Sequence, residues 1–238
     1  ETRTEVLGKT LKQTTRIIWG LYAFYTLCSI LLFIIAGMPM WHAINNGMTG
    51  ISTGGFTVAD TSFADYSAAI KVAGIFVMLA GAISFVAHYE LLKKRRFSIF
   101  WTSIPHRFLL GMFLIGGVLS VLIDHITFNR WDWIDSVFTW TSAMTTCGFG
   151  VEDISGHAPM LKIFLIFAML IGGAAGSTAG GIKIQRFLNL MSSLSIRMKS
   201  IFSVQASKQL SQVFADKDGD DEQGVILPHQ EQTRKLFA

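Results

Sequence analysis

The chain has 238 residues, a formal net charge of +4 and a mean hydropathy of +0.46. It is 51% hydrophobic and only 15% charged, whereas soluble domains carry roughly 25% charged residues. This composition excludes an ordinary soluble domain. Of the two cysteines, Cys28 lies in an apolar block and Cys147 in a turn, so we expect neither a disulfide nor a metal site from them.

Four apolar blocks predict membrane-spanning helices. The first, Ile17–Met38, has 22 residues and no Asp, Glu, Lys, Arg or His. At 1.5 Å per residue it can cross roughly 30 Å of hydrocarbon, and it is too long for the apolar region of a signal peptide. Because the chain starts at Glu1 rather than Met, we expect a segment of a longer protein. The later blocks are Val72–Ala87, Phe108–Ile123 and Leu161–Ala175.

Basic residues alternate with the apolar blocks and predict the orientation of the chain. Lys and Arg concentrate before the first block, after the second and after the fourth, while the two intervening segments are mainly acidic. Basic loops remain in the cytoplasm, so we expect a multi-pass protein of the inner (plasma) membrane with both basic ends cytoplasmic. Because membrane spans flank the basic runs, no nucleic-acid partner is expected.

The chain repeats itself at a fixed offset of 93 residues. The offset pairs two short turns, Ser52–Phe56 and Thr145–Phe149, which match at threonine, glycine and phenylalanine. A duplicated unit explains matches at polar and glycine positions. In each unit an apolar span leads to a short amphipathic stretch, the turn, and a second span. The amphipathic stretches, Trp41–Gly50 and Trp131–Thr145, are too short to cross a bilayer and predict re-entrant helices.

The two turns have the residues that a potassium filter requires. A dehydrated potassium ion needs a ring of backbone carbonyls, and the unusual dihedral angles of such a backbone are easiest for glycine. We expect Phe56 and Phe149 to pack behind the turns. The alternative is that each is only a tight turn between an interfacial helix and a span. The predicted carbonyl donors are Ser52, Thr53, Gly54, Gly55, Thr145, Thr146, Cys147 and Gly148.

A glycine-rich run, Gly172–Lys183, interrupts the last apolar block. Five glycines within ten residues, at roughly 1 kcal/mol each relative to alanine, should break a helix. A broken helix at membrane depth needs a polar environment, so we expect this run to line the pathway. The alternative is close packing of small residues between helices.

The filter turn followed by this glycine-rich run resembles the third repeat of the Trk/Ktr/HKT potassium transporters, and the first unit resembles their second repeat. The resemblance implies an all-α membrane protein with two helix–re-entrant pore helix–helix repeats, half of a four-repeat potassium-channel-like pore. The divisions that follow are a cytoplasmic segment (1–16), a first repeat (17–96), a second repeat (97–194) and a cytoplasmic linker or tail (195–238).

The resemblance also implies a mechanism and partners. The glycine-rich run would form an intramembrane loop that gates permeation of potassium, the transported ion, with no bound cofactor and no enzymatic activity. Glycine at Gly55 and Gly148 favours potassium, since serine there accompanies sodium permeation in relatives. Expected partners are the remaining repeats of the same polypeptide, a second copy, and a cytoplasmic nucleotide-binding regulatory subunit. The implied gate residues are Gly172, Gly173, Gly176, Ser177, Thr178, Gly180, Gly181 and Lys183.

Two other functions fit parts of the sequence. Two helix–filter–helix units are also the plan of two-pore-domain potassium channels, although the first turn lacks a glycine after Phe56. An intramembrane enzyme would use Ser177 as nucleophile with His88 or His125 as base.

The remaining polar residues of the apolar blocks are assigned to the membrane interfaces. We expect Lys71 to snorkel to the outer boundary, and His88 to lie at the interface at the inner end of its span. We expect Asp124 and His125 to be solvated at the outer end of the third span, and a proton relay is the alternative.

Overall fold

The computed structural model describes residues 11–95, 98–129 and 131–217. In those ranges the chain is helical and forms no strand, so the predicted all-α class is confirmed. The chain divides into two units, Glu1–Asn189 and Leu190–Ala238, and the second contains the later part of the last helix. The helices are α1 Leu11–Ile35, α2 Met40–Ile51, α3 Ala68–Ala82, α4 Phe85–Lys94, α5 Ile99–Thr102, α6 Ile104–Phe128, α7 Trp133–Met144, α8 Pro159–Leu170 and α9 Ile184–Lys217.

The helices occur in the order that the duplication predicts. The first long helix of each repeat, α1 or α6, has 25 residues and is apolar enough to cross a membrane, and the four-residue α5 precedes α6. A 12-residue helix, α2 or α7, follows and leads into a Thr/Gly/Phe turn. The third element is α3–α4 in the first repeat and α8 in the second. Each short helix and its turn therefore lie between the long first helix of the repeat and the returning helix, as a re-entrant arrangement requires.

The ends of the chain differ from the predicted segment boundaries. Helix α1 begins at Leu11, six residues before the predicted apolar block, and ends at Ile35, where Gly37 with φ of 95° and Pro39 redirect the chain into α2. The segment expected to be a linker from residue 195 is helical as far as Lys217. The acidic part of that linker from residue 218 onward lies outside the described residues.

Both returning spans are interrupted rather than continuous. The block predicted at Val72–Ala87 contains the break between α3 and α4, which bend by 102°. Ile83 and Ser84 have extended dihedral angles there, and the Ser84 hydroxyl accepts a hydrogen bond from the Ala87 amide at 3.1 Å, which caps α4. In the second repeat α8 ends at Leu170, and helical structure resumes only in α9. The first repeat therefore has a broken helix that its sequence did not predict.

An aromatic cluster packs the two repeats together. Phe63, in the loop between α2 and α3, is fully buried, and its ring centroid lies 5.9 Å from that of Phe33 in α1. The same ring lies 5.1 Å from Phe138 in α7 and 4.6 Å from Phe149 in the second turn. At these distances aromatic rings attract one another beyond the burial of their area. Phe63 thus joins the first repeat to the short helix and the turn of the second.

A bidentate ion pair also crosses between the repeats. The Lys71 ammonium of α3 lies 2.8 and 2.9 Å from the two carboxylate oxygens of Asp135 in the first turn of α7. Their side chains are 11% and 21% exposed. The partner of Lys71 is a carboxylate 64 residues later in the chain, which the expectation of a snorkelling lysine did not include. The pair anchors the start of α7 to α3.

We expect the substitution Lys71→Met to lower the thermal midpoint of the purified full-length protein. Asp135 would remain partly buried without its cation. Because the pair is only partly shielded from solvent, the loss should be about 2 kcal/mol, between the values for surface and buried pairs. Thermal unfolding in detergent measures it, with Lys12→Met on the exposed face of α1 as control.

The double variant Lys71→Met/Asp135→Leu separates the ion pair from the packing of the lysine stem. With no charge left behind, its midpoint should lie above that of Lys71→Met alone. A double variant that is less stable than the single variant by the full effect of Asp135→Leu would show that the two side chains do not interact.

Candidate functional site

Each short helix ends in the same hydrogen-bonded cap, which shapes the start of each turn. After α2, the Thr53 amide donates to the Gly50 carbonyl at 3.0 Å and the Gly54 amide donates to the Thr49 carbonyl at 2.8 Å. After α7 the equivalent bonds, Thr146 to Ala143 and Cys147 to Ser142, are both 3.0 Å. This pair of bonds is the Schellman motif, which needs a left-handed residue just after the helix.

Threonine occupies that left-handed position in both turns. Thr53 has φ of 52° and Thr146 has φ of 57°, a region that a β-branched residue rarely adopts. Each hydroxyl donates at 2.7 Å to the carbonyl of the residue before it, Ser52 or Thr145. Two residues later Gly55 and Gly148 also have positive φ, 71° and 91°. Strained backbone of this kind persists where the surrounding structure holds it, and it concentrates at functional sites.

The two turns pack directly against each other. A Cβ atom on Gly55 would lie 2.0 Å from the Cys147 carbonyl oxygen, so position 55 admits only glycine next to the second turn. A Cβ on Gly148 would meet no atom of the described chain within 4 Å. The glycine of the first turn thus faces a neighbouring turn, while the equivalent glycine of the second turn faces open space.

The phenylalanines after the two turns differ in the same way. Phe149 is buried, and its ring lies 3.2 Å from where a Cβ on Gly50 of the first repeat would be. Phe56 is 79% exposed. The expectation that both rings pack behind their turns is correct for Phe149 and wrong for Phe56, whose ring is exposed.

The glycine-rich run forms a closed loop between α8 and α9. Its two ends meet, since the Gly172 amide donates to the Ile182 carbonyl at 3.0 Å and the Ile182 amide donates to the Leu170 carbonyl at 2.9 Å. A Cβ on Gly172 would lie 1.6 Å from the Gly180 carbonyl oxygen. Gly181, with φ of 64°, is in the left-handed region. Glycine is required here because the backbone crosses itself, which differs from the alternative of close packing between two helices.

The loop contacts both turns through hydrogen bonds. The Thr178 hydroxyl lies 2.8 Å from the Ile51 carbonyl, the last residue of α2 before the first turn. The Gly180 amide donates to the Thr146 hydroxyl of the second turn at 2.6 Å. The structure therefore brings together the two groups of residues that the sequence singled out, the turns and the glycine run.

Other loop residues close the loop on itself. The Ser177 hydroxyl donates to the Ala174 carbonyl at 2.6 Å, and the Lys183 ammonium donates to the Ala179 carbonyl and approaches the Ser177 carbonyl at 3.4 Å. Gly173 is buried, and a Cβ there would lie 2.7 Å from the Ala82 carbonyl oxygen. Gly176, with φ of 74°, is exposed at the turn of the loop.

The loop and its surroundings do not assemble a nucleophile and base. His88 is buried rather than interfacial, which corrects its predicted position, and its Nε2 atom bonds the Ala80 carbonyl at 2.9 Å. Its ring packs against that of Tyr25 with 4.1 Å between centroids and an angle of 47° between the ring planes. Because the Ser177 hydroxyl and the His88 ring each bond a backbone carbonyl instead of each other, the arrangement needed for a serine nucleophile is not formed.

A polar cavity that the sequence did not predict lies beside α7. Its volume is about 210 Å³, and Asp124, Ser136, Glu152 and His157 are among the residues that line it. The Ser136 hydroxyl donates to the buried Asp124 carboxylate at 2.5 Å, and His157 lies 3.5 Å from the same carboxylate. The expectation that Asp124 is solvated is therefore wrong. Hydrogen bonds from the Ser155 hydroxyl and amide lower the pKa of Asp153 at the edge of this cavity.

The sequence of the chain matches a known family of membrane transporters. A family profile described as TrkH, a cation transport protein, matches residues 1–214. The chain belongs to the TrkH family. Family membership argues against the intramembrane enzyme, because the matched relatives are transporters. It also favours the Trk-type architecture over that of two-pore-domain channels.

Relatives extend the family assignment to both sequence and fold. The chain is 35% identical over 202 residues to an uncharacterized cation transporter of Methanocaldococcus jannaschii, covering 84% of this chain and 40% of that protein. It is 31% identical over 202 residues to the Trk system potassium uptake protein TrkH of Halomonas elongata, covering 79% and 42%. The chain thus spans about two fifths of the length of these relatives.

A solved structure has the same fold. The crystal structure of the potassium transporter TrkH from Vibrio parahaemolyticus superposes with a TM-score of 0.71 and 22% sequence identity. The match covers 97% of this chain and 47% of that one. The helical repeats described above are therefore the fold of about half of a TrkH-type transporter chain.

The crossing of the loop backbone at Gly172 generates a stability prediction. We expect Gly172→Ala to lower the thermal midpoint of the full-length protein by an amount equivalent to about 1–3 kcal/mol, because the added methyl group overlaps the Gly180 carbonyl. Gly20→Ala in α1 is the matched control, since a Cβ there meets no described atom within 4 Å. A Gly172→Ala midpoint equal to that of Gly20→Ala would contradict the observed crossing.

Proposed function

We propose that this chain forms the second and third repeats of a potassium transporter, in which ions pass between backbone carbonyls of the two turns. The observation that carries the proposal is the direct packing of the turns, with Gly55 against the Cys147 carbonyl. Filter carbonyls can replace the water shell of an ion only if neighbouring turns are this close. The residues proposed to supply carbonyls are Ser52, Thr53, Gly54, Gly55, Thr145, Thr146, Cys147 and Gly148.

The open sides of the two turns support a four-repeat pore. Gly55 and Phe149 each have a neighbour from the other repeat, while their equivalents Gly148 and Phe56 are open. In a ring of four turns every glycine has a following neighbour and every phenylalanine a preceding one. We therefore propose that a repeat preceding the first and a repeat following the second, both outside this chain, complete the filter.

The glycine loop is proposed to gate permeation. Its hydrogen bonds to Ile51 and Thr146 hold it against both turns, where it obstructs the path of an ion leaving the filter. Gly172, Gly173, Gly180 and Gly181 would permit the loop to fold back on itself, and Lys183 would hold its carbonyls. Opening then requires displacement of the loop and loss of these bonds.

The wider assembly follows from the family. We propose a plasma-membrane (inner-membrane) protein whose basic segments are cytoplasmic, that pairs with a second copy and binds a cytoplasmic nucleotide-binding subunit. Potassium is the cargo and no resident cofactor is proposed. The segment from residue 195, helical to Lys217, would be the cytoplasmic connection to the missing repeat.

The test is potassium or rubidium uptake by uptake-deficient cells expressing the full-length protein with its regulatory partner. We expect wild type to restore growth at low potassium and Gly148→Ser to shift the permeability toward sodium. A side chain at position 148 fits within this half of the ring but changes the dihedral preference at φ of 91° and adds a hydroxyl to the filter.

Gly150→Ser is the matched control, since a Cβ two residues further along also meets no described atom within 4 Å. It should keep the wild-type ratio of potassium to sodium uptake. Correctly inserted wild-type protein that restores no uptake would overturn the proposed function, and equal sodium permeation by the two serine variants would overturn the assignment of Gly148 to the filter.

A further inference from the structure

The break between α3 and α4 leaves carbonyl groups that a continuous helix would have paired. A helix that stops at Ala82 has four terminal carbonyls to satisfy, and an unpaired one is costly inside a membrane protein. Leu79 accepts from the Ile83 amide at 3.2 Å and Ala80 from the His88 ring at 2.9 Å. Among the residues that the structure describes, the other two carbonyls, those of Gly81 and Ala82, have their partners in the glycine loop of the other repeat.

Three backbone hydrogen bonds join this break, the residues Gly81–Phe85, to the loop. The Thr178 amide donates to the Gly81 carbonyl at 3.1 Å, and the Ala174 amide donates to the Ala82 carbonyl at 3.0 Å. In the reverse direction, the Phe85 amide of α4 donates to the Gly176 carbonyl at 2.9 Å. The two interrupted spans thus supply the hydrogen-bond partners that each lacks.

We propose that the α3–α4 break is the docking site of the glycine loop. The loop moves away from the two turns only as α3 and α4 straighten into one helix. This inference rests on the proposed function of the loop as a gate. It assigns a moving part of that gate to the first repeat, more than 90 residues earlier in the chain.

A straight α3–α4 helix would satisfy its own backbone without the loop. In an α-helix each amide bonds the carbonyl four residues earlier, so the Phe85 amide would turn from Gly176 to Gly81, and the Val86 amide would bond Ala82. The same groups therefore have two alternative sets of partners. An element with two such arrangements is what a switch between closed and open states requires.

We call the contact between the glycine loop and the α3–α4 break the latch. Thr178 connects this latch to the end of α2, where the first turn begins. Its hydroxyl lies 2.8 Å from both the Gly81 and the Ile51 carbonyls, so one side chain contacts the break and the end of α2. A Cβ on Gly81 would lie 3.0 Å from that hydroxyl and 2.8 Å from the Ile51 carbonyl oxygen. Position 81 must therefore be glycine for the Thr178 hydroxyl to reach both carbonyls. Thr178 is a positioning residue, because it holds the glycine loop against the break and α2.

The experiment measures the bend and the ion flux separately in the full-length protein. Phe76 in α3 and Leu92 in α4 are both exposed and are replaced by cysteines that carry spin labels, after the exposed Cys28 is replaced by serine. Double electron–electron resonance then measures the distance between the labels, which depends on the angle between α3 and α4. At 1.5 Å per residue, the two backbone positions lie about 15 Å apart with the 102° bend and about 24 Å apart in a straight helix. Rubidium flux into liposomes is measured on the same variants.

We expect Thr178→Val to increase the population at the longer distance roughly fivefold, as the loss of one hydrogen bond predicts, and to raise rubidium flux. Gly81→Ala should do the same by pushing the hydroxyl away. Thr178→Ser keeps the hydroxyl and should match wild type. Thr26→Val is the control, because the Thr26 hydroxyl bonds only the Tyr22 carbonyl of its own helix, at 2.8 Å.

The two readouts give distinct outcomes. A rise in both distance and flux for Thr178→Val and Gly81→Ala, but not for the controls, supports the latch. A rise in flux at an unchanged distance, or no change in either, overturns the latch. A longer distance at unchanged flux would support the coupling of loop and break while overturning the proposal that the loop gates permeation.

Discussion

The hydrogen-bonding requirement of the backbone inside a membrane governs this structure. Helices interrupted within hydrocarbon need other partners for their free amides and carbonyls. Here Ala82 and Phe85, at the break in the first repeat, bond Ala174 and Gly176 in the loop of the second. The glycine loop can be non-helical because carbonyls of the break accept hydrogen bonds from its amides. The same bonds satisfy the carbonyls at the end of α3 and so stabilise the break. The Thr178 hydroxyl also lies 2.8 Å from the Ile51 carbonyl at the end of α2, so the loop contacts the start of the first turn as well as the break.

Duplication supplied two equal units, and their differences give each a separate role. The short helices have the same length and the same cap, with Thr53 and Thr146 in the same strained conformation. The returning spans differ, because the first bends sharply between two helices and the second opens into a loop of thirteen residues, 171–183. The loop of the second repeat docks on the break of the first, a contact that requires the two returning spans to differ.

The sequence predicted those features that local patterns encode. The matched turns and the glycine run predicted the pore-like repeats, and the family and the fold agree with them. The structure brings the turns and the run into contact, while their role as filter and gate stays a proposal. Three features depended on partners distant in the chain and could not be predicted. Lys71 finds Asp135, the break at Ile83 contains no proline and is held by the loop, and Thr146 adopts a conformation usual for glycine because its helix cap and the loop hold it there.

The ion pair between Lys71 and Asp135 has a consequence for biosynthesis. Sixty-four residues separate the two charges, so at translation rates of 5–20 residues per second the lysine waits roughly 3 to 13 seconds for its carboxylate. An uncompensated lysine resists entry into lipid. During that interval α3 must keep Lys71 near water or inside the insertion machinery. The ion pair therefore forms only after synthesis has reached the first turn of α7, in the second repeat.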